Sequence, residues 1–160
     1  MIQISRGKDI ESFNKLREVA IKISNNIQQY RKELADLESN LLELKEENRR
    51  KIAPLKRQLE NTSIKRKSEQ DQYNRCKNTS DKSGASQHIQ RINECNAKYS
   101  IIRSDIKRFN DEIEEADKKF QEKVKQIDET RKKKEFILSQ MRLLYTKITG
   151  KSADTLTRSH

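Results

Sequence analysis

The sequence predicts an all-α protein folded as a long antiparallel coiled-coil helical hairpin, in which a short polar loop joins two long helices. Three observations lead to this fold class. Charged residues make up 38% of the 160 positions and apolar residues only 31%, which is too polar a mixture for a thick globular core. Apolar residues recur at alternating steps of three and four, the spacing of a coiled coil. Glycine and proline occur only three times and once, so the chain has little material for loops.

The first predicted arm covers residues 9–77 and follows an N-terminal tail at 1–8. Its apolar seam, the line of a and d positions that faces the partner helix, begins with ten consecutive matches: Phe13, Leu16, Ala20, Ile23, Ile27, Tyr30, Leu34, Leu37, Leu41 and Leu44. Asn48 comes next, and the pattern then resumes four residues later at Ile52. Such an inserted step is a stutter, which locally unwinds a supercoil. Because Pro54 lies in the same stretch, we predict a kink or break at residues 50–54.

The polar stretch at 78–87 is the predicted connecting loop. The second arm covers residues 88–149, and a C-terminal tail at 150–160 begins with a glycine stop signal. We predict that the second seam slips by four residues after Phe120 and continues at Val124. The other predicted positions of this seam are Ile89, Ile92, Cys95, Tyr99, Ile102, Ile106, Phe109, Ile113, Ala116, Ile127 and the apolar segment at 136–148.

The pairing of the two arms follows from four features that agree on one register. When facing residue numbers sum to about 171, the two slips lie opposite each other, the acidic run at 111–117 faces basic residues of the first arm, and the basic run at 131–134 faces acidic ones. Cys76 then lies opposite Cys95, and the two could form a disulfide. The alternative is a pair of thiols that fill the seam, since free cysteine packs as a small apolar residue. A parallel dimer of two chains is the alternative architecture, which the opposed slips and charges disfavour.

The open end of the hairpin carries more apolar residues than a two-helix seam can bury. Apolar residues lie beside the seam on both arms, and exposed apolar patches mark interaction sites. The candidate partner-binding residues are Val19, Ile21, Phe136, Ile137, Leu143 and Leu144. Two alternatives remain open: residues 1–12 fold back over the patch, or two copies of the chain pack into a four-helix bundle.

The net charge of +11 raises a second class of function. Residues 49–77 contain ten basic and three acidic residues, and the candidate basic patch consists of Arg49, Arg50, Lys51, Lys65, Arg66 and Lys67. A basic helical rod can bind nucleic acid or an anionic membrane surface. The alternative is that these side chains are solvated flanks of the coiled coil. Because nucleic-acid motifs and aromatic platforms for bases are missing, nucleic acid is the lesser hypothesis and a membrane is disfavoured.

Catalysis finds no support in the sequence. No nucleophile, base and orienting group recur together, and no glycine-rich phosphate loop is present. Two histidines and two cysteines that are 19 residues apart do not form a zinc motif, so we expect no cofactor and no metal. The sequence has neither a secretory core nor a membrane-spanning stretch, from which we expect a cytoplasmic or otherwise intracellular protein.

In length, charge and hairpin plan, the chain resembles the coiled-coil stalk proteins of type III secretion and flagellar export. The second-arm ending TRKKKEFILSQMRLLY, residues 130–145, is the local similarity. This resemblance implies a cytoplasmic protein that sits on or inserts into a hexameric export ATPase and touches the export gate. The broader expectation is a non-enzymatic assembly or scaffold subunit. It would bind protein partners through its helices, with a homodimer as one form of that assembly.

Overall fold

The structure, a computed structural model, describes residues 2–150, with side chains from residue 7 onward. Within these residues it contains two helices, α1 (Ile2–Asn78) and α2 (Lys82–Thr149), and no strand. The partners of α1 residues have falling numbers along α2, so the helices are antiparallel. The predicted all-α helical hairpin is therefore confirmed. Because α1 already includes residues 2–8, the predicted N-terminal tail is helical over that range, and residues 151–160 of the predicted C-terminal tail lie outside the described residues.

The chain forms two compact units, each of which pairs a segment of α1 with a segment of α2. Of the described residues, 2–38 and 119–150 form the first, which we call the terminal unit, and residues 39–118 form the turn unit. Both have a narrow apolar core, as expected for a two-helix seam. Buried core residues of the terminal unit are Ala20, Ile27, Ile127 and Met141, and those of the turn unit are Leu41, Ile52, Ile92, Cys95 and Ile102.

The seam of α2 follows unbroken heptads and has no slip. Every position of one heptad frame is buried or half-buried: Ile92, Cys95, Tyr99, Ile102, Ile106, Phe109, Ile113, Ala116, Phe120, Lys123, Ile127, Thr130, Lys134, Ile137, Met141, Leu144 and Ile148. The predicted slip to Val124 is wrong, because Lys123 occupies the seam position and Val124 is exposed. A lysine can fill such a position because its methylene stem packs while its ammonium group reaches a polar partner. Ile89, also predicted in the seam, is exposed.

The seam of α1 does contain the stutter. Leu44, Asn48 and Ile52 are buried or half-buried at consecutive steps of four, and Asn48 is completely buried. The predicted break at residues 50–54 does not occur, since α1 continues through Pro54. Pro54 is exposed, so its ring lies on the solvent side of the helix and leaves the seam intact. The missing backbone hydrogen bond remains a local cost to α1.

The connection between the helices consists of residues 79–81, which corrects the predicted loop at 78–87. At the end of α1 the amide of Asp81 donates to the carbonyl oxygen of Cys76 (2.9 Å) and that of Ser80 to Lys77 (3.4 Å). This is a Schellman motif, with Ser80 in the left-handed conformation (φ 60°). Asp81 then caps α2, because its carboxylate accepts a hydrogen bond from the Gly84 amide (3.0 Å). Helix α2 therefore begins at Lys82, inside the polar stretch at 78–87 that was predicted to be the loop.

The short turn also sets a register that differs from the predicted one. Directly paired residues have numbers that sum to 156–160, as for Glu69 with His88 in the turn unit and Asp9 with Lys147 in the terminal unit. A sum near 171 would need a loop centred at residues 85–86. That segment is helical because Asp81 caps it, so the predicted register, and the facing charges inferred from it, are wrong.

Candidate partner-binding site

The heptad positions of the terminal unit place three exposed apolar residues on one side of its seam. With Phe13 at position a of α1 and Met141 at position a of α2, Val19 occupies a g position, and Phe136 and Leu143 occupy c positions. In an antiparallel pair the g and c positions of both helices flank the seam on the same side. We call Val19, Phe136 and Leu143 the apolar stripe.

The apolar stripe is open to solvent. Val19 is 42% exposed, Phe136 64% and Leu143 65%. Phe136 and Leu143 are two helical turns apart on α2, which is about 10 Å along the helix axis. Single exposed apolar residues are common on protein surfaces, but three that share one side of a two-helix seam are typical of an interaction site.

The other predicted partner-binding residues lie elsewhere. Ile137 and Leu144 occupy d positions of the α2 seam and are only partly accessible. They therefore help to hold the two helices together, and their assignment beside the seam is wrong. Ile21 is 53% exposed but occupies a b position, which lies on the opposite side of the seam from the apolar stripe. Ile10, which was not among the predicted residues, is also exposed on that opposite side.

Lysines flank the apolar stripe. Over residues 8–29 of α1 and 129–147 of α2, the g and c positions on its side include five lysines, which we call the lysine rim, and one acidic residue, Glu129; the rim consists of Lys8, Lys15, Lys22, Lys133 and Lys147. Closer to the turn unit, the same side instead carries three acidic residues and one lysine: Glu33, Asp36, Glu122 and Lys119. Lys15 lies 3.7 Å from Glu11, and Lys147 lies 3.3 Å from Asp9. Within the described residues, the other three rim lysines have no acidic side chain within ion-pair distance.

Lys123 provides the polar contact inside the seam of the terminal unit. Its ammonium group donates hydrogen bonds to Oε2 of Glu33 (2.6 Å) and Oε1 of Gln126 (2.9 Å) and lies 5.0 Å from the centre of the Tyr30 ring. The hydrogen bond from Lys123 lowers the pKa of Glu33 below its ordinary value, and partial desolvation opposes this shift. This contact was not predicted from the sequence, where a lysine is indistinguishable from a surface residue.

Two polar contacts cross the seam of the turn unit. The buried carboxylate of Glu69 lies 2.5 Å from Nδ1 of His88 and 3.8 Å from the guanidinium group of Arg91. The Asn48 amide nitrogen donates to the carbonyl oxygen of Phe109 (2.9 Å) and to Glu112 (3.1 Å). Oδ1 of Asn48 is buried without a hydrogen-bond partner. Pairing across the helices therefore accounts for Glu69, His88 and the amide nitrogen of Asn48 in the seam.

The candidate basic patch divides into two groups with different surroundings. Arg49 and Arg50 lie 3.8 and 3.2 Å from Glu46, and Lys51 lies 3.9 Å from Glu47, so acidic neighbours on α1 offset this half. The other half is exposed, and among the described residues it has no ion-pair partner; it consists of Lys65, Arg66 and Lys67. The six residues therefore do not act as one uncompensated basic surface.

A shallow groove in the turn unit is lined by basic residues of both helices, and their proximity was not predicted from the sequence. Lys56 of α1 and Arg103 and Lys107 of α2 line it, above the apolar side chains of Leu59 and Ile106. The Arg103 guanidinium group also lies 5.7 Å from the centre of the Tyr99 ring. The helix register had to be known to find this group, because its members are nearly 50 residues apart in sequence.

The two cysteines are both free thiols, so the candidate disulfide is not formed. Cys76 lies at the level of Gly84, where a side-chain Cβ atom in place of the glycine hydrogen would come within 3.0 Å of its sulfur. Cys95 is buried eleven residues further along α2, which is about 16 Å of helix. A disulfide requires Cα atoms within about 7 Å. The shifted register therefore separates the two thiols.

Comparisons with protein-family models, with curated proteins and with solved structures give no match. The resemblance to export-apparatus stalk proteins stays a prediction. In the described residues, neither helix contains an apolar segment long enough to cross a membrane. The same residues contain no group of three or more histidine, cysteine or acidic side chains arranged to hold a metal ion.

Proposed function

We propose that this chain is a non-enzymatic coiled-coil assembly subunit that binds a protein partner through one side of its terminal unit. The observation that carries this proposal is the exposure of Val19, Phe136 and Leu143 on the same side of the seam. Burying a large apolar side chain contributes about 1.5–3 kcal/mol. A partner that covers all three would therefore gain a substantial part of the free energy of a specific complex.

The arrangement of the two helices also supports an interaction role. The chain has a seam that buries mainly apolar residues, and its charged residues lie mostly on solvated faces. Several polar side chains in or beside the seam pair across the helices, as Lys123 does with Glu33. Such a scaffold presents side chains at fixed spacing along a helix, which suits the binding of another helix.

Site-specific photo-crosslinking tests this function. A photoreactive phenylalanine analogue at position 136 is expected to give one discrete heavier adduct in cells that express the protein. The substitution Leu143→Asp should remove this adduct while helicity, measured by circular dichroism, is retained. The matched control is the same analogue at position 64, because Ile64 is 61% exposed in the turn unit. A diffuse pattern at position 136 that equals the pattern at position 64 would contradict the proposal.

A further inference from the structure

We infer that the partner of the apolar stripe is an amphipathic helix with acidic flanks, provided by another protein; this inference rests on the proposed function. Its apolar side chains would cover Val19, Phe136 and Leu143, and its Asp and Glu side chains would face the lysine rim. The result would be a local three-helix arrangement in the terminal unit.

The spacing of the stripe favours a helix as the occupant. Phe136 and Leu143 are separated by one heptad, so a helix that runs alongside α2 meets them with residues of its own heptad repeat. Val19 of α1 lies across the seam, near the level of Gln140 in the observed register. The stripe therefore spans the surface between α1 and α2, where a third helix can contact both helices.

The charge of the rim favours acidic flanks. Five lysines and one glutamate occupy the g and c positions on this side over residues 8–29 and 129–147, the part of the terminal unit that contains the apolar stripe. Only Lys15 and Lys147 have acidic partners within the described residues. The Lys15–Glu11 pair is exposed on both sides and is therefore weak, and the Lys147 side chain is mostly exposed although its partner Asp9 is largely buried. Lys8, Lys22 and Lys133 are thus available to pair with carboxylates on the occupant. Such complementarity acts mainly on the rate of association and on the choice of partner.

The same charges argue against two occupants from this chain itself. A symmetric dimer would place the same patch on both sides of the interface, so the lysine rim would face a second lysine rim. The segment 151–160 also fits poorly by composition, because its sequence KSADTLTRSH has one large apolar residue and more basic than acidic side chains. A separate acidic helix satisfies both the apolar and the charged requirement.

Binding of synthetic helices to the full-length protein tests the inference. The probe is a fluorescently labelled three-heptad peptide with leucine at its core positions and glutamate at the flanking positions, and its matched control has lysine in place of every glutamate. Fluorescence anisotropy is expected to show that the acidic peptide binds at least tenfold more tightly, a difference of about 1.4 kcal/mol. Equal affinity for the two peptides would overturn the inference.

Variants of the protein make the test specific to this surface. Phe136→Asp with Leu143→Asp should abolish binding of the acidic peptide. Charge reversal of the rim by Lys15→Glu, Lys22→Glu and Lys133→Glu should make the lysine peptide the tighter ligand. The matched control, Lys65→Glu with Lys67→Glu in the turn unit, should leave the preference for the acidic peptide. Circular dichroism verifies that each variant remains helical, and a rim reversal that does not change the preference would overturn the inference.

Two further measurements identify competing occupants. A concentration-dependent dimer in sedimentation that Phe136→Asp dissolves would overturn the inference in favour of a second copy. Binding to phosphatidylserine vesicles in the absence of peptide binding would overturn it in favour of a lipid surface. Failure of this inference and failure of the proposed function give different experimental results. A discrete cross-linked partner without an acidic amphipathic helix would contradict this inference alone, whereas the absence of any discrete adduct would contradict the proposed function.

Discussion

The carboxylate of Glu69 and the imidazole ring of His88 lie 2.5 Å apart in the seam of the turn unit, where both side chains are largely buried. They replace an apolar pair at this level of the coiled coil. A polar pair at a seam position lowers stability relative to apolar residues but restricts the registers that the two helices can adopt. Sliding one helix past the other would leave both polar groups without their partners.

The substitution His88→Ala is expected to lower the free energy of unfolding by about 1–3 kcal/mol, because it leaves the buried Glu69 carboxylate without its closest partner. Arg91 remains at 3.8 Å and compensates only in part. Urea unfolding followed by circular dichroism gives the free energy. The matched variant His88→Gln retains a hydrogen-bond donor and should lose less. Equal stability of the alanine variant and the unmodified protein would show that the pair makes no net contribution.

The pair of Glu33 with Lys123 predicts a dependence of stability on pH. The hydrogen bond from Lys123 lowers the folded-state pKa of Glu33 below its ordinary value of 4.5. Its contribution is therefore complete above the unfolded-state pKa and is lost as the pH falls through the lower folded-state pKa. The difference in free energy of unfolding between the unmodified protein and Glu33→Gln should stay constant near neutral pH and shrink in acid.

Acid titration of the two proteins by urea unfolding measures this difference. Glu38→Gln provides the control, because Glu38 is exposed on α1 and forms no ion pair within the described residues. Its difference from the unmodified protein should change less across the same pH range. If the difference for Glu33→Gln did not shrink at low pH, its hydrogen bond with Lys123 would not contribute to stability in solution.

Replacing Asn48 tests the polar residue at the stutter. Asn48→Leu should raise the free energy of unfolding by about 1–2 kcal/mol, because it removes a buried oxygen atom that has no hydrogen-bond partner. Asn48→Asp should lower it by about 3 kcal/mol or more, because a buried negative charge would face Glu112.

The control for Asn48 is Asn61→Leu, at an exposed position of α1 in the same unit. It should change the free energy of unfolding by less than about 0.5 kcal/mol. Thermal or urea unfolding of the three variants gives the comparison. A stabilising effect of Asn48→Asp would mean that the seam at this level is hydrated.

The turn predicts opposite effects at two adjacent residues. Ser80→Gly should raise the free energy of unfolding by about 0.5–1 kcal/mol, since Ser80 adopts a left-handed conformation that favours glycine. Asp81→Ala should lower it by about 1 kcal/mol through loss of the cap on α2. Asp81→Asn keeps an acceptor for the Gly84 amide and is the matched control. A destabilised Ser80→Gly variant would contradict the observed Schellman geometry.

The fold class could be predicted because leucine and isoleucine mark most seam positions, and their period is visible without any structure. Lys123 is the position where hydropathy misleads. A lysine in the seam cannot be distinguished from a surface lysine by hydropathy, so the pattern indicated a slip to Val124 where the heptads continue. The frame defined by Ile92 and Cys95, extended without interruption, leads to Lys123.

The predicted register of the two helices was the larger error, and it arose because the cap on α2 lets this helix begin earlier than the sequence indicated. Gly84 and its small polar neighbours are typical of a loop, but the Asp81 carboxylate stabilises a helix through them. Moving the loop centre changed every predicted pairing, including that of Cys76 with Cys95. The prediction of Phe136 and Leu143 as partner-binding residues depended less on the register, because it rested on the excess of apolar residues near the open end of the hairpin. The heptad frame of the structure was needed to distinguish these exposed residues from Ile137 and Leu144, which lie in the seam.

The three-residue turn also determines how far apart in sequence the contacting residues are. Glu69 and His88 are separated by 19 residues, whereas Asp9 and Lys147 are separated by 138. Because the entropy lost on closing a loop grows with its length, contacts near the turn form at the lowest cost, and each one shortens the loop that the next must close. The hairpin is therefore expected to fold like a zipper that starts at Asp81. Substitutions at the turn would then slow folding, and those beside Lys147 would mainly accelerate unfolding.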